Sequence, residues 1–445
     1  MPLRILPFIF LTLVALGTRA PAADLASANG ARLLKIADNG FAGSSVNVLA
    51  NSQHTLLTHG DTQYAAFYDA SSHVVLAKRA IADASWTVHR TGLKGRTADA
   101  HNTIALGVDG DGFLHVAWDH HNNPLNYVRG AAPGSLELGA RETMTGAHEQ
   151  RVTYPAFLPL PNGDLLFFHR DGGSGRGNLV LKRYDVRARR WSLVHASLID
   201  GEGARSAYPA YTVDPRGTLH LAWVWRATPD VATNQDLAYA RSIDGGVTWT
   251  GIDGRPLEVP FTAANADYAL RVGPNRSLMN PPSLAADADG RPLIANYWTP
   301  DGSDIPQFHV VRHGGNRWQV SQVTARTTSF TLAGGGTKNP PISRAVLATR
   351  ADADGGRQAV LVYRDDERDG RIIAATCEDL RKTDWRFTPL TADSVGAWEP
   401  SFDPIAWDRT GELHLVVQPV VQRDGNDREA AAVPPTPVSV LVWPP

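Results

Sequence analysis

Short apolar runs, each closed by a glycine turn, repeat along this chain from about residue 60 onward. The clearest stretch is residues 99–129, DAHNTIALGVDGDGFLHVAWDHHNNPLNYVR. Ile104 to Val108 is an apolar run. Asp109-Gly110-Asp111-Gly112 is a turn, because glycine takes positive φ readily and aspartate bonds its own backbone. Leu114 to Trp118 then alternates as a half-buried strand does. A second turn spans Asp119 to Pro124, and Leu125 to Arg129 returns. The pattern predicts an antiparallel meander.

The same unit recurs. Aligning the turn glycines Gly60, Gly112, Gly163, Gly217, Gly290, Gly356 and Gly411 brings seven similar strands into line, among them DTQYAAFYD, FLHVAWDHH, DLLFFHRDG and TLHLAWVWR. Successive glycines lie about 50 to 70 residues apart, enough for a four-stranded propeller blade, with insertions in the longest units. One insertion is 251–269. The fold class read from this is all-β: a seven-bladed β-propeller of four-stranded antiparallel blades, a single domain over residues 24–445. Few strands remain for the last blade beyond 412–418 and 437–443. The N-terminal run Ala31 to Ile36 is the candidate to complete it and lock the ring. Residues 422–436 read as a loop.

Composition narrows the class. Hydrophobic residues are 43%, charged residues 20%, and the formal net charge is −2. That balance argues against bulk affinity for nucleic acid or membrane, so an anionic ligand must be held by a local cluster. Residues 1–23 read as a secretory signal: Arg4, an apolar run over 5–17 too short to span a bilayer, and small residues Ala20 to Ala22. The expectation is a secreted or periplasmic, monomeric protein. The sole cysteine, Cys377, forbids an intrachain disulfide and reads as buried filler.

In a propeller the innermost strand begins, and the second strand ends, at one face around the central channel. His101, Tyr154 and Tyr208 open three consecutive units. His121, Arg170, Arg226 and Arg364 close second strands. These residues should line one funnel mouth, the default pocket of the fold. Other residues read as structural. His115, His220 and His414 share one offset after the turn glycine and read as packing groups. His120 reads as a turn residue, and residues 171–177 (DGGSGRG) as a hairpin turn near the funnel with Arg176 on it. Asp365 to Arg368 reads as a solvated loop with internal ion pairs rather than a metal site. No zinc-ligand spacing occurs, and the expected set of metal ligands is none.

Ser242 to Trp249, SIDGGVTW, fits the S-x-D-x-G-x-T-W Asp-box of sialidase-type propellers, a structural hairpin motif. The longer motifs THGDTQYAAFYD, VTYPAF, FFHRDGGSGRGN, GGGTKNPPISR and GAWEPSFD resemble the BNR-repeat seven-bladed propellers, which include ulvan lyases and enzymes acting on rhamnose–glucuronate linkages. The resemblance implies β-elimination on an anionic, uronate-containing polysaccharide. It implies His101 as base, Tyr154 as acid and Arg170 as carboxylate clamp, with His121 and Tyr208 in support and no cofactor required. The residue types alone leave the acid and base roles exchangeable. Two alternatives stay open: a rhamnosidase of the same group, using one histidine on the opposite face (Gln53-His54 and His59 lie in the relevant region), and a non-catalytic glycan-binding propeller.

Overall fold

The turns carry the architecture. In the computed structural model, which describes residues 24–50, 55–287, 289–351, 357–382, 384–425 and 429–445, Asp109 Oδ1 accepts the backbone N–H groups of Asp111 and Phe113 at 3.0 and 2.9 Å. Asp214 and Asp287 repeat that clasp two and four residues on. The glycine that completes each turn has positive φ, +85° at both Gly112 and Gly217. A side chain there would strain the backbone. Each turn therefore fixes the register of the first two strands of a blade.

Seven antiparallel sheets result. Blades one to six start from the inner strands Leu56–His59, Ile104–Val108, Val152–Pro159, Ser206–Val213, Ser283–Ala286 and Val346–Ala351. The seventh contains Leu413–Val417 and Thr436–Trp443, and the N-terminal strand Arg32–Gly40 pairs with the latter. The expected N-terminal lock is thus present: the first strand of the chain is the outer strand of the last blade. Buried aliphatic and aromatic side chains fill the spaces between blades, for example Leu221, Trp223 and Trp249 against Phe168 and Phe261.

The Asp-box folds as its residues dictate. Asp244 takes the N–H groups of Val247 and Thr248, Ser242 bonds Asp244, and the Trp249 indole donates to the Gly246 carbonyl from beneath the turn. Cys377 is buried. Two expectations need correcting. Gly411 is not a turn between strands but the left-handed cap of a helix, Pro404–Thr410, whose first turn is capped by Asp403. His121 does not close the second strand of its blade, which ends at Trp118; positive φ at Asp119 and Asn122 redirects the chain. His121–Asn123 then forms a short strand of its own on the inner edge of blade three. Gly356, Gln53-His54 and the leader 1–23 lie outside the described residues.

Candidate active site

Blades two, three and four present their inner-strand openings to one mouth, and the side chains there form a continuous row. The His101 and His121 rings stack with centroids 4.3 Å apart. His101 lies 5.8 Å from the Tyr154 ring, and Tyr154 lies 6.0 Å from Tyr208. The Arg170 guanidinium stands over both phenols, 4.8 Å from the Tyr154 ring centre and 5.5 Å from that of Tyr208.

Backbone geometry distinguishes the two phenols. Tyr208-Pro209 continues a regular ladder. Tyr154-Pro155 sits at a register shift, and Tyr154 has φ of +53°. A bulge re-aims the bulged side chain, and positive φ on an aromatic residue costs about 1–3 kcal/mol. The result is a Tyr154 ring partly open to the mouth, whereas Tyr208 is buried.

A carboxylate that the sequence reading did not single out organises the histidines. Asp99 places one oxygen 2.6 Å from His101 Nδ1 and the other 2.6 Å from His121 Nδ1. Burial alone would raise the Asp99 carboxyl, but the two imidazole hydrogen bonds hold it well below the usual carboxylate range. Ionised Asp99 can only accept, so each Nδ1 must donate, and each Nε2 keeps its lone pair. Burial, only partly offset by Asp99, pushes the His101 pKa below its ordinary value, so the ring is neutral near pH 7. The signal available in the sequence was the Asp-x-His spacing at 99–101.

The cations differ in what they hold. Arg226 is spent on Tyr208 Oη (3.1 Å), Asn234 (2.8 Å) and Asn280. Arg344 pairs with Glu399 at 2.7 Å. Arg364 bonds Asp366 and the Pro340 carbonyl. Buried Arg170 has no carboxylate partner among the described residues: Nε donates to the Gly172 carbonyl at 3.1 Å, and Nη1 is left without a partner. Burial would raise the Tyr208 phenol, but Arg226 and Arg170 pull it down to about 8. Burial, reinforced by Tyr208, pushes Tyr154 up to about 12.

Loops frame the mouth. Residues 172–177 form the expected hairpin turn, and Ser174 Oγ meets Tyr208 Oη at 2.9 Å, with Arg176 exposed. From the far side, Thr337 is tied to Gly425 by two backbone bonds, and its hydroxyl stands 3.5 Å from His101 Nδ1. The acidic run at Asp365–Glu367 is not the solvated, internally paired loop expected: Asp365 is buried and pairs with Arg326 of the preceding blade, and Glu367 accepts the N–H groups of Thr327 and Thr328. His59 ends an inner strand, on the face away from His101.

The sequence model of the BNR repeat-containing family matches residues 62–326. The chain belongs to this family. Among curated relatives, an ulvan lyase (long isoform) of Alteromonas sp. is 31% identical over 147 residues, 23% of this chain and 15% of that protein. The short isoform of Alteromonas sp. strain LOR is 24% identical over 255 residues, 42% of this chain and 48% of that protein. The chain thus spans less than half the length of these relatives. Among solved structures, polysaccharide lyase Uly1 aligns with a TM-score of 0.67 at 15% identity, over 95% of this chain and 100% of the other. An ulvan lyase bound to -[GlcA(1-4)Rha3S]- aligns with a TM-score of 0.63 at 16% identity, over 84% and 89%. At these identities the structural likeness speaks for the fold.

Proposed function

We propose that the protein is a polysaccharide lyase that cleaves a uronate-containing glycan, of the rhamnose–glucuronate kind, by β-elimination. The observation that carries this reading is buried Arg170, a guanidinium with no carboxylate partner among the described residues, beside a neutral histidine and a protonated phenol. A uronate carboxylate supplies the missing partner, and the guanidinium fork suits it in a way an ammonium does not. The partial match to ulvan lyases supports the same reading.

The step balances within the row. His101 Nε2 takes the C5 proton, and the electron pair left behind forms the C4–C5 double bond. Arg170 stabilises the charge that builds on the carboxylate as the proton departs. The C4–O4 bond breaks, and O4 takes the phenolic proton of Tyr154. The geometry favours this assignment of roles, since the His101 lone pair is free and the Tyr154 proton is retained at neutral pH. Asp99 holds the base in one tautomer. His121 and Tyr208 line the row beside the sugar. A polymeric substrate is met outside the cytoplasm, which accords with the leader expected at residues 1–23.

The test is absorbance of the unsaturated uronate produced during incubation with a panel of uronate-containing glycans. A rise with at least one polymer is expected. Cleavage without that rise would show hydrolysis and favour the rhamnosidase alternative; binding without cleavage would leave the glycan-binding one. Tyr154→Phe should lower turnover by about 10²–10⁴-fold, the worth of a placed acid.

A further inference from the structure

We propose that the buried Glu399–Arg344 pair is a positioning device of the active site: through Asn280 and Arg226 it holds Tyr208 in place from the opposite side of the channel.

The argument starts from the openings of the inner strands. Blades two, three and four give theirs to His101, Tyr154 and Tyr208. The openings of the other blades carry a second line of polar groups, whose charged and amide side chains are all buried. The Ala50 N–H, ahead of blade one, donates to Glu399 Oε2 at 3.0 Å. Arg344, ahead of blade six, donates from Nη1 to both Glu399 oxygens at 2.7 and 2.8 Å, and from Nε to the Asn280 carbonyl at 2.5 Å. Asn280, ahead of blade five, accepts Arg226 Nη2 and Asn234 Nδ2 on its side-chain oxygen. Arg226 Nη1 then reaches Tyr208 Oη at 3.1 Å, with the guanidinium 4.3 Å from the ring centre. The sequence motifs GGGTKNPPISR and GAWEPSFD contain Arg344 and Glu399, and the reaction above uses neither residue.

The chemistry of the line makes it more than a tie between blades. Both lone pairs of the Asn280 side-chain oxygen are taken, and Arg344 pins the carbonyl of the same residue, so Arg226 has one place to rest. A guanidinium can hold Glu399 and Asn280 at once because its donors sit at fixed angles; a single ammonium cannot. Burial raises the Tyr208 phenol, and Arg226, with Arg170, pulls it down to about 8. The charged and titratable groups facing that phenol are Arg226 on its own blade and Arg170 and Tyr154 on blade three. The Glu399–Arg344 pair carries no net charge and makes no bond or ring contact with Tyr208 among the described residues. It therefore acts on the phenol by where it puts Arg226. The consequence for turnover rests on the lyase reading; the consequence for the phenol does not.

The experiment reads Tyr208 by phenolate absorbance in a pH titration of the whole chain. Every other tyrosine is pushed up by burial, so absorbance that rises around pH 8 belongs to Tyr208. Changing one partner alone strands a buried charge, so Arg344→Met and Glu399→Gln are made together. The Tyr208 midpoint should move up by about one pH unit, a tenfold change in its ionisation constant, as Arg226 loosens. If the double variant does not fold, Arg344→Lys decides in its place: it keeps the charge and the pair, and should move the midpoint in the same direction. Turnover of the double variant on a uronate polymer should fall about two- to fivefold, and adding Tyr208→Phe should lower it no further than Tyr208→Phe does alone. Replacing another buried pair, Lys182 and Glu149, by Met and Gln should leave the midpoint where it is. A folded double variant whose Tyr208 titrates with the wild-type midpoint overturns the proposal. So do losses of turnover that add in full to that of Tyr208→Phe. If no polymer is cleaved at all, the lyase reading fails while the titration still decides the line.

Discussion

At one end of blade two, His115 lies between Tyr127 and Asp109; at the other, His101 lies between Asp99 and the open mouth. The ingredients match: imidazole, carboxylate and a phenol nearby. His115 bonds Tyr127 Oη through Nδ1 at 2.7 Å and Asp109 through Nε2 at 3.2 Å, and it is fully buried. Blade four repeats this closed arrangement with His220, Tyr239 and Asp214. Burial pushes the pKa of both His101 and His115 below the ordinary value. A lowered histidine pKa therefore does not separate reactive from structural here. What separates them is the second nitrogen, spent on the protein in His115 and open in His101.

The largest expected effect tests that contrast directly. His101→Ala should lower turnover by about 10²–10⁴-fold, with the protein folded and the Michaelis constant little changed. His115→Ala should leave turnover per folded molecule near wild type and cost about 2–4 kcal/mol of stability in denaturant unfolding, through a cavity and two orphaned partners. If the two variants exchange phenotypes, the open-nitrogen criterion is wrong. The arginines extend the comparison. Arg170→Ala should lose about 10²–10³-fold in kcat on a uronate polymer. Arg170→Lys should lose less, yet clearly more than experimental error, because a point charge cannot reproduce the fork. Full activity of Arg170→Lys would make that residue structural.

The repeat made the fold readable. Asp-x-x-Gly turns at 109–112 and 214–217 are local chemistry, and local chemistry is what a sequence displays. The row His101–Tyr154–Tyr208 was likewise legible, because corresponding positions in successive blades share one face. His121 was misplaced because its location depends on two left-handed residues, Asp119 and Asn122, neither of them glycine. Asp99 went unnoticed because its role exists only once His121 folds back from another strand. Arg364 reads like Arg170 in the alignment, and only the fold shows that, unlike Arg170, it holds a carboxylate, Asp366 two residues on, as well as the Pro340 carbonyl.

The smallest effect concerns Tyr208, and it separates two ways of choosing an acid. On acidity alone Tyr208, at about 8, would be chosen over Tyr154, at about 12. Position argues the reverse. Tyr208 is buried, its hydroxyl receives Arg226 Nη1 and meets Ser174 Oγ, and Tyr154 stands between it and His101. An acid must also hold its proton until the leaving oxygen needs it, which Tyr154 does throughout the neutral range. Tyr208→Phe removes the hydrogen bonds to Arg226 Nη1 and Ser174 Oγ but leaves Arg226 its bonds to Asn234 and Asn280, a net loss of about 1 kcal/mol, or about fivefold in turnover. A second readout follows from its lowered pKa. Above about pH 8 the wild-type Tyr208 phenol ionises, and its charge competes with the uronate for Arg170 and Arg226. The Michaelis constant should therefore climb with alkaline pH in the wild type and stay flatter in Tyr208→Phe. A Tyr208→Phe variant as inactive as Tyr154→Phe, or one whose alkaline profile matches the wild type, would move the acid role to Tyr208 or remove its influence on the arginines.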